Sequence, residues 1–182
     1  MFSGQKNQKS QRGFTLIELI VSISVIAMMS GLFLANYHSA NKRSELASAA
    51  QKTASDIRLA QQFSLGANEF NGAPPAGGWG IYFDESSPDS YIIFADIDEN
   101  RNYDSGEEHA RVNLPVGVSI EEIEDSDTGI IITNASVVFL PPDPITYINN
   151  SSGNNVSITL KDVNNSVKTV EVNFLGLVEV VD

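Results

Sequence analysis

Arg12-Gly13-Phe14-Thr15-Leu16-Ile17-Glu18-Leu19 opens an apolar run that continues to Ala35 as FTLIELIVSISVIAMMSGLFLA. Its one chargeable residue is Glu18. The run matches the roughly 20 residues a helix needs to cross a bilayer. A cleaved secretory signal has a shorter apolar core followed by a small-residue cleavage site. Here the core is long, and Ala-rich sequence of helical pattern follows it. Upstream, residues 1–13 hold Lys6, Lys9 and Arg12 and no acid. A basic head before an apolar span predicts a single-pass membrane protein with its N-terminus in the cytoplasm and the rest outside it.

That remainder is acidic. The whole chain of 182 residues has a formal net charge of -12. Removing the three leader cations from 11 basic residues leaves 8 against 23 acidic ones. Such a surface repels nucleic-acid phosphates and anionic lipid headgroups, so no nucleic acid is expected as a partner. The absence of cysteine removes disulfides, thiolate nucleophiles and thiolate metal sites. His38 and His109 are the two histidines, far apart in sequence, and do not suggest a zinc site.

Glu18 is the anomaly of the apolar run. A carboxylate in hydrocarbon costs several kcal/mol unless it is paired or protonated. Two readings stand. Glu18 lies close to the interface, or it gains a partner on assembly, the amine released by a cut before Phe14 being the obvious candidate.

Past Ala35, apolar or small residues recur at Ala40, Leu46, Ala47, Ala50, Ala54, Ile57, Ala60 and Phe63. These spacings predict an amphipathic helix that stops near Gly66. Beyond the Pro74-Pro75 and Gly77-Gly78 loop the pattern turns to strands, at 79–84, 90–95, 117–123, 129–132, 136–140, 155–161, 167–174 and 177–181. Val156, Ile158 and Leu160 alternate, as do Val170, Val172 and Phe174, and Asn164-Asn165 turns the hairpin between the two runs. The expected fold class is α+β: a long N-terminal helix, membrane-spanning in its first half, packed on an antiparallel domain of one sheet or two. The expected division is 1–13 leader, 14–36 membrane helix, 37–66 exposed helix and 67–182 β-rich domain.

One stretch has ligand chemistry. Asp96, Asp98, Asn100, Asn102, Asp104 and Glu107 occupy positions 1, 3, 5, 7, 9 and 12 of a twelve-residue loop, the spacing with which an EF-hand surrounds calcium. Against this, position 6 is Arg101 where glycine normally makes the turn, and the flanks read as strands. The competing reading is a hairpin closed by side-chain to backbone bonds. Glu121, Glu122, Glu124, Asp125 and Asp127 read as a solvated turn, Pro141-Pro142-Asp143-Pro144 as a rigid extended loop, and 149–155 as a flexible polar loop.

The stretch from Arg12 to Leu19 resembles the processing motif of type IV prepilins and type II secretion pseudopilins. The resemblance implies cleavage between Gly13 and Phe14 by a prepilin peptidase and N-methyltransferase, with glycine admitted by a pocket that takes only a small residue. It implies that Glu18 pairs with the Phe14 amine of a neighbouring subunit and sets filament register. Asp56 to Gln61, Gly80 to Phe83, Tyr91 to Asp96 and Phe174-Leu175-Gly176 are similar to the minor pseudopilin H and FimT-type subgroup, apart from a polar insertion at 141–154. The resemblance implies a non-enzymatic subunit in the inner membrane that helps initiate or tip a filament for protein secretion. Its implied partners are other pilins or pseudopilins, an assembly platform and secreted cargo. No cofactor is required, and calcium enters only through the acidic loop. The alternative is a subunit, minor or major, of an adhesive, motility or DNA-uptake pilus; an enzyme finds no paired acids, histidine cluster or cysteine to support it.

Overall fold

The computed structural model describes residues 13–141 and 145–181, with the side chains at 35–41 outside the description. The leader through Arg12, the side chains of His38 and Ala40, and most of the Pro141–Pro144 loop therefore lie outside the described residues. The chain divides into two compact units, Met1–Ala40 and Asn41–Asp182. The helix, α1, spans Leu16–Leu65.

In the first unit, the segment Leu16–Leu34 has a mean hydropathy of 2.2 and none of it is buried. It is long and apolar enough to cross a membrane. Ser22 and Ser24 fit such a segment because each hydroxyl donates to the carbonyl four residues back, Glu18 O at 2.7 Å and Ile20 O at 2.8 Å. The helix thus satisfies these two hydroxyls without water.

The second unit begins with a different helical surface. Leu46, Ala49, Ala50, Thr53, Ala54, Ile57, Ala60 and Ser64 are buried, whereas Ser44, Gln51 and Lys52 stay exposed. Small residues on one stripe let the sheet backbone approach closely. Ala47 and Phe63, expected on this stripe, are only half-buried at its margins.

Two antiparallel sheets supply the rest. The first has six strands: β1 (Gly78–Asp84), β2 (Ser90–Asp96), β3 (Glu108–Asn113), β6 (Asn134–Leu140), β7 (Ile145–Ile148) and β8 (Ser151–Ser152), in the order β3-β2-β1-β6-β7-β8. The second has five: β4 (Val118–Asp125), β5 (Ile130–Ile131), β9 (Val156–Asp162), β10 (Val167–Val172) and β11 (Val178–Val181), in the order β11-β10-β9-β4-β5. One apolar cluster draws on the helix and both sheets, including Ile57, Trp79, Ile81, Phe83, Ile123, Val137, Ile158 and Val170. The α+β architecture is as expected, with two sheets.

Polar groups fasten the helix to this core. Tyr91 donates its hydroxyl to Asp56 Oδ2 at 2.6 Å, and Lys52 meets the same oxygen at 2.6 Å. Burial, then the bond to Asp56, pushes the Tyr91 hydroxyl far above its ordinary pKa, so it stays a donor. Arg58 donates to Val178 O at 2.6 Å, and Ser64 donates to Phe139 O. The first sheet also buries a second face. Gly80 stands opposite Phe94 and Val138 in register, and Val138 opposite Tyr147. A Cβ on Gly80 would lie 2.7 Å from the Phe94 ring. Glycine there gives the ring its place.

Four sequence readings are corrected. β3 and the β7–β8 hairpin are additional to the expected strands, the latter falling inside stretches that read as insertion and loop. Glu121, Glu122, Glu124 and Asp125 lie on β4, not in a turn; only Asp127 does. A bulge at Ile120/Glu122 breaks the alternation, so Ile120 and Ile123 both face inward at a spacing of three. Phe174 lies past β10 and is exposed, since Gly176 turns the chain toward β11.

The helix cap sits one residue later than glycine placement suggests. Gly66 follows Leu65, but the left-handed residue is Ala67, at φ 47°. Asn68 N–H bonds Phe63 O at 3.0 Å and Ala67 N–H bonds Ser64 O at 3.1 Å, the paired bonds of a Schellman cap. A left-handed alanine costs about 1 kcal/mol. Ala67→Gly is therefore expected to raise the thermal midpoint of the full chain in detergent micelles, by stabilisation of about 1 kcal/mol. Ile57→Ala is expected to lower it, at about 2–5 kcal/mol.

Candidate functional site

Two places carry chemistry, one at the start of α1 and one between β2 and β3.

At the first, Gly13, Phe14 and Thr15 precede the helix, and Leu16 begins it. Glu18 N–H donates to Thr15 Oγ1 at 3.3 Å, and Leu19 N–H donates to Thr15 O at 3.2 Å. Thr15 is the N-cap, and Glu18 occupies the third helical position, the spacing of a capping box. The sequence reading includes Thr15 in the motif but misses its capping role, though the Thr-x-x-Glu word signals it. Glu18 thus lies in the first turn, where a carboxylate faces the positive end of the helix dipole. Phe14 and Glu18 are both exposed within the chain. The fold itself does not require glycine at 13: an added Cβ meets nothing within 4 Å.

At the second place, the acidic residues 96–107 join β2 to β3. Asp96 is fully buried at the end of β2, and Glu107 is nearly so. Carboxylate oxygens of Asp96, Asp98 and Glu107 lie within 4.8 Å of one another. Main-chain amides hold the carboxylates in place. Arg101 N–H donates to Asp96 Oδ2 at 3.0 Å, Asn100 N–H to Asp98 Oδ1 at 3.1 Å, Ile97 N–H to Glu107 Oε1 at 2.8 Å and Asp104 N–H to Glu107 Oε2 at 3.0 Å. The Asn100 side-chain amide donates to Asp98 Oδ2 at 3.0 Å and to Asp104 Oδ2 at 2.5 Å. Asn102 donates its main-chain N–H to Asn100 Oδ1 at 2.7 Å, and its side chain reaches Asn100 O at 3.2 Å. Burial pushes the Asp96 carboxyl above its ordinary pKa; the Arg101 amide opposes this, and the charges of Glu107 and Asp98 add to it.

Arg101 does not break the loop, although it stands where glycine is usual. Its φ is 63°, so it adopts the left-handed turn that glycine would supply. Its guanidinium leaves the acids, lying 4.0 Å from the Tyr147 ring centroid and donating to Asn150 at 3.0 Å. Tyr103 covers the second face of the first sheet, 5.6 Å from Phe94 and 5.1 Å from Tyr82. The loop therefore rests on β1, β2 and the β7–β8 hairpin. Gly77 completes its floor: an added Cβ would lie 2.0 Å from Asp96 Oδ2. That contact is not legible in the sequence.

His109 joins neither place. It is exposed on β3, its ring 5.0 Å from Trp79 and 5.8 Å from Phe63.

Residues 8–34 match the family model of the prokaryotic N-terminal methylation motif. No curated protein and no solved structure matches the chain. The chain thus carries a type IV pilin-like prepilin signal, which implies processing by a prepilin peptidase and assembly with other pilins. The apolar helix Leu16–Leu34 fits the single-pass anchor of such a protein.

Gly77→Ala drives a methyl group into the Asp96 carboxylate. The expected result is a loss of about 1–3 kcal/mol in thermal unfolding of the full chain, with Gly13→Ala unchanged.

Proposed function

We propose that the chain is a minor pseudopilin of the H and FimT type, a non-enzymatic subunit that helps initiate or tip a type II secretion pseudopilus or related filament. The methylation motif on a wholly exposed apolar helix carries this reading. A helix without a polar face is buried only by lipid or by other helices, and a pilin uses each in turn: lipid while stored, sister helices once assembled.

The chemistry of the first turn supports the processing step. A cut between Gly13 and Phe14 leaves a charged amine one residue before the Thr15 cap. That charge sits against the positive end of the helix dipole, and in an apolar filament core it needs an anion. Glu18 is the one acid in the span. It stabilises the amine of a neighbouring subunit and so selects the register of one helix against the next. Gly13, where an added Cβ meets no neighbour, serves the peptidase and not the fold. The basic leader holds the N-terminus in the cytoplasm, and the acidic domain lies outside the inner membrane.

The subgroup assignment is supported by what its sequence words do. Asp56 and Tyr91 tie the helix to β2, Gly80 makes room for Phe94, and Asp96 roots the acidic loop. An outward domain with two sheets and a supported loop offers surfaces to other subunits or cargo.

Glu18→Ala in the native host tests the pairing. Membrane insertion is expected to be unchanged, and incorporation into filaments to fall at least about tenfold, as when one partner of a buried ion pair is removed. Normal incorporation would sink the pairing. Gly13→Val is expected to leave the leader attached, seen as unprocessed chain in the membrane fraction.

A further inference from the structure

The loop between β2 and β3 contains a buried charge whose demands the protein's own described groups do not meet. Asp96 is fully buried. Its Oδ2 accepts the Arg101 amide, but its Oδ1 has no hydrogen-bond partner among the described residues. A buried polar atom without a partner is costly, a charged one more so. Two further carboxylates, of Asp98 and Glu107, converge within 4.8 Å instead of dispersing. Asp104 joins them through the Asn100 amide. Residues 96–107 hold five acids and one base. That base, Arg101, turns away to Tyr147 and Asn150. Among the described residues, no ion pair reaches Asp96, Asp98, Asp104 or Glu107.

The side-chain to backbone turn explains part of this arrangement. It accounts for Asp98, for both oxygens of Glu107 and for Asp96 Oδ2. It does not account for Asp96 Oδ1, nor for the approach of the Asp98 and Glu107 carboxylates to Asp96.

We propose that this loop binds one calcium ion, with Asp96, Asp98 and Glu107 as its carboxylate ligands and Asp104 and Asn100 beside them. The donors are all oxygen, with no histidine or cysteine, which selects a hard cation. Several carboxylates on a loop of irregular shape suit calcium, which takes six to eight oxygens in flexible geometry. Magnesium demands near-ideal octahedral geometry and keeps its waters. The amides now donating to Asp98 and Glu107 use one lone pair of each oxygen and leave others to face a cation. The ion would tie β2 to β3. Through Tyr103 and Arg101 it would also brace the β7–β8 hairpin, making the domain's stability depend on extracytoplasmic calcium.

The test uses the full chain in detergent micelles, first treated with a chelator. Calcium chloride is titrated at constant ionic strength by calorimetry, with thermal unfolding in parallel. The expected result is one saturable site with a Kd on the order of 0.1–1 mM, typical of extracellular modules, and a rising thermal midpoint. Asp98→Asn and Asp104→Asn change exposed side chains. Each is expected to weaken calcium binding about tenfold or more and to shrink the rise in midpoint that calcium produces. No heat and no midpoint shift on the order of 10 mM calcium, well above the weakest such sites, would overturn the proposal. So would an equal response to magnesium, or a wild-type response from both variants.

Discussion

Water cannot solvate the flank of a helix that presents Leu16, Ile17, Ile20, Ile23, Leu32 and Phe33 on all sides, and the described residues offer that flank no cover. The constraint divides the molecule. Among the described residues, the buried core starts at Leu46, where the apolar surface narrows to a stripe rich in alanine and leaves a polar face outside. The larger of the second unit's two apolar clusters gathers on that stripe. Ile81, Phe83 and Val137 join its cluster from the first sheet, Ile158 and Val170 from the second. Tyr91, Arg58 and Ser64 satisfy polar groups that burial would strand. The described part of the first unit has no such partners. Ser22 and Ser24 bond the helix's own carbonyls, and Thr15 and Glu18 lie at its start, as suits a helix in apolar surroundings.

Charge follows the same division. A single acid, Glu18, lies in the apolar segment, beside the position where processing would create an amine. In the second unit most described acids are at least partly exposed. Three described acids are buried, Asp162 at the end of β9 and Asp96 and Glu107 in the β2–β3 loop, and main-chain amides hold all three. As proposed, Glu18 takes a neighbouring subunit's amine and the β2–β3 loop takes a cation.

The helix, the fold class and most strands are legible in the sequence because their signals are periodic. Val156, Ile158 and Leu160 alternate on a central strand with one buried face, and all three are buried. β3 is not legible: it is an edge strand whose inward residues, Ala110 and Val112, are only half-buried. β7 is hidden by the prolines and asparagines around it, since its place is set by backbone pairing with β6. On β4 a bulge puts Ile120 and Ile123 on one face and makes the end of a strand read as a turn. At the acidic loop the ligand spacing can be read, but the burial of Asp96, the left-handed Arg101 and the closeness of Gly77 are products of tertiary packing. At the N-terminus the opposite holds: the signal is local, matched within the contiguous residues 8–34.

The central claim is that this chain is a processed filament subunit present at low copy. The most direct measurement is quantitative mass spectrometry of filaments sheared or extracted from native membranes. The expected result is an N-terminal peptide beginning at N-methylated Phe14, at trace abundance beside a dominant pilin. A chain that keeps residues 1–13 in the filament fraction, or never enters that fraction, would contradict the claim. Dominant abundance would make it the shaft subunit and overturn the minor role.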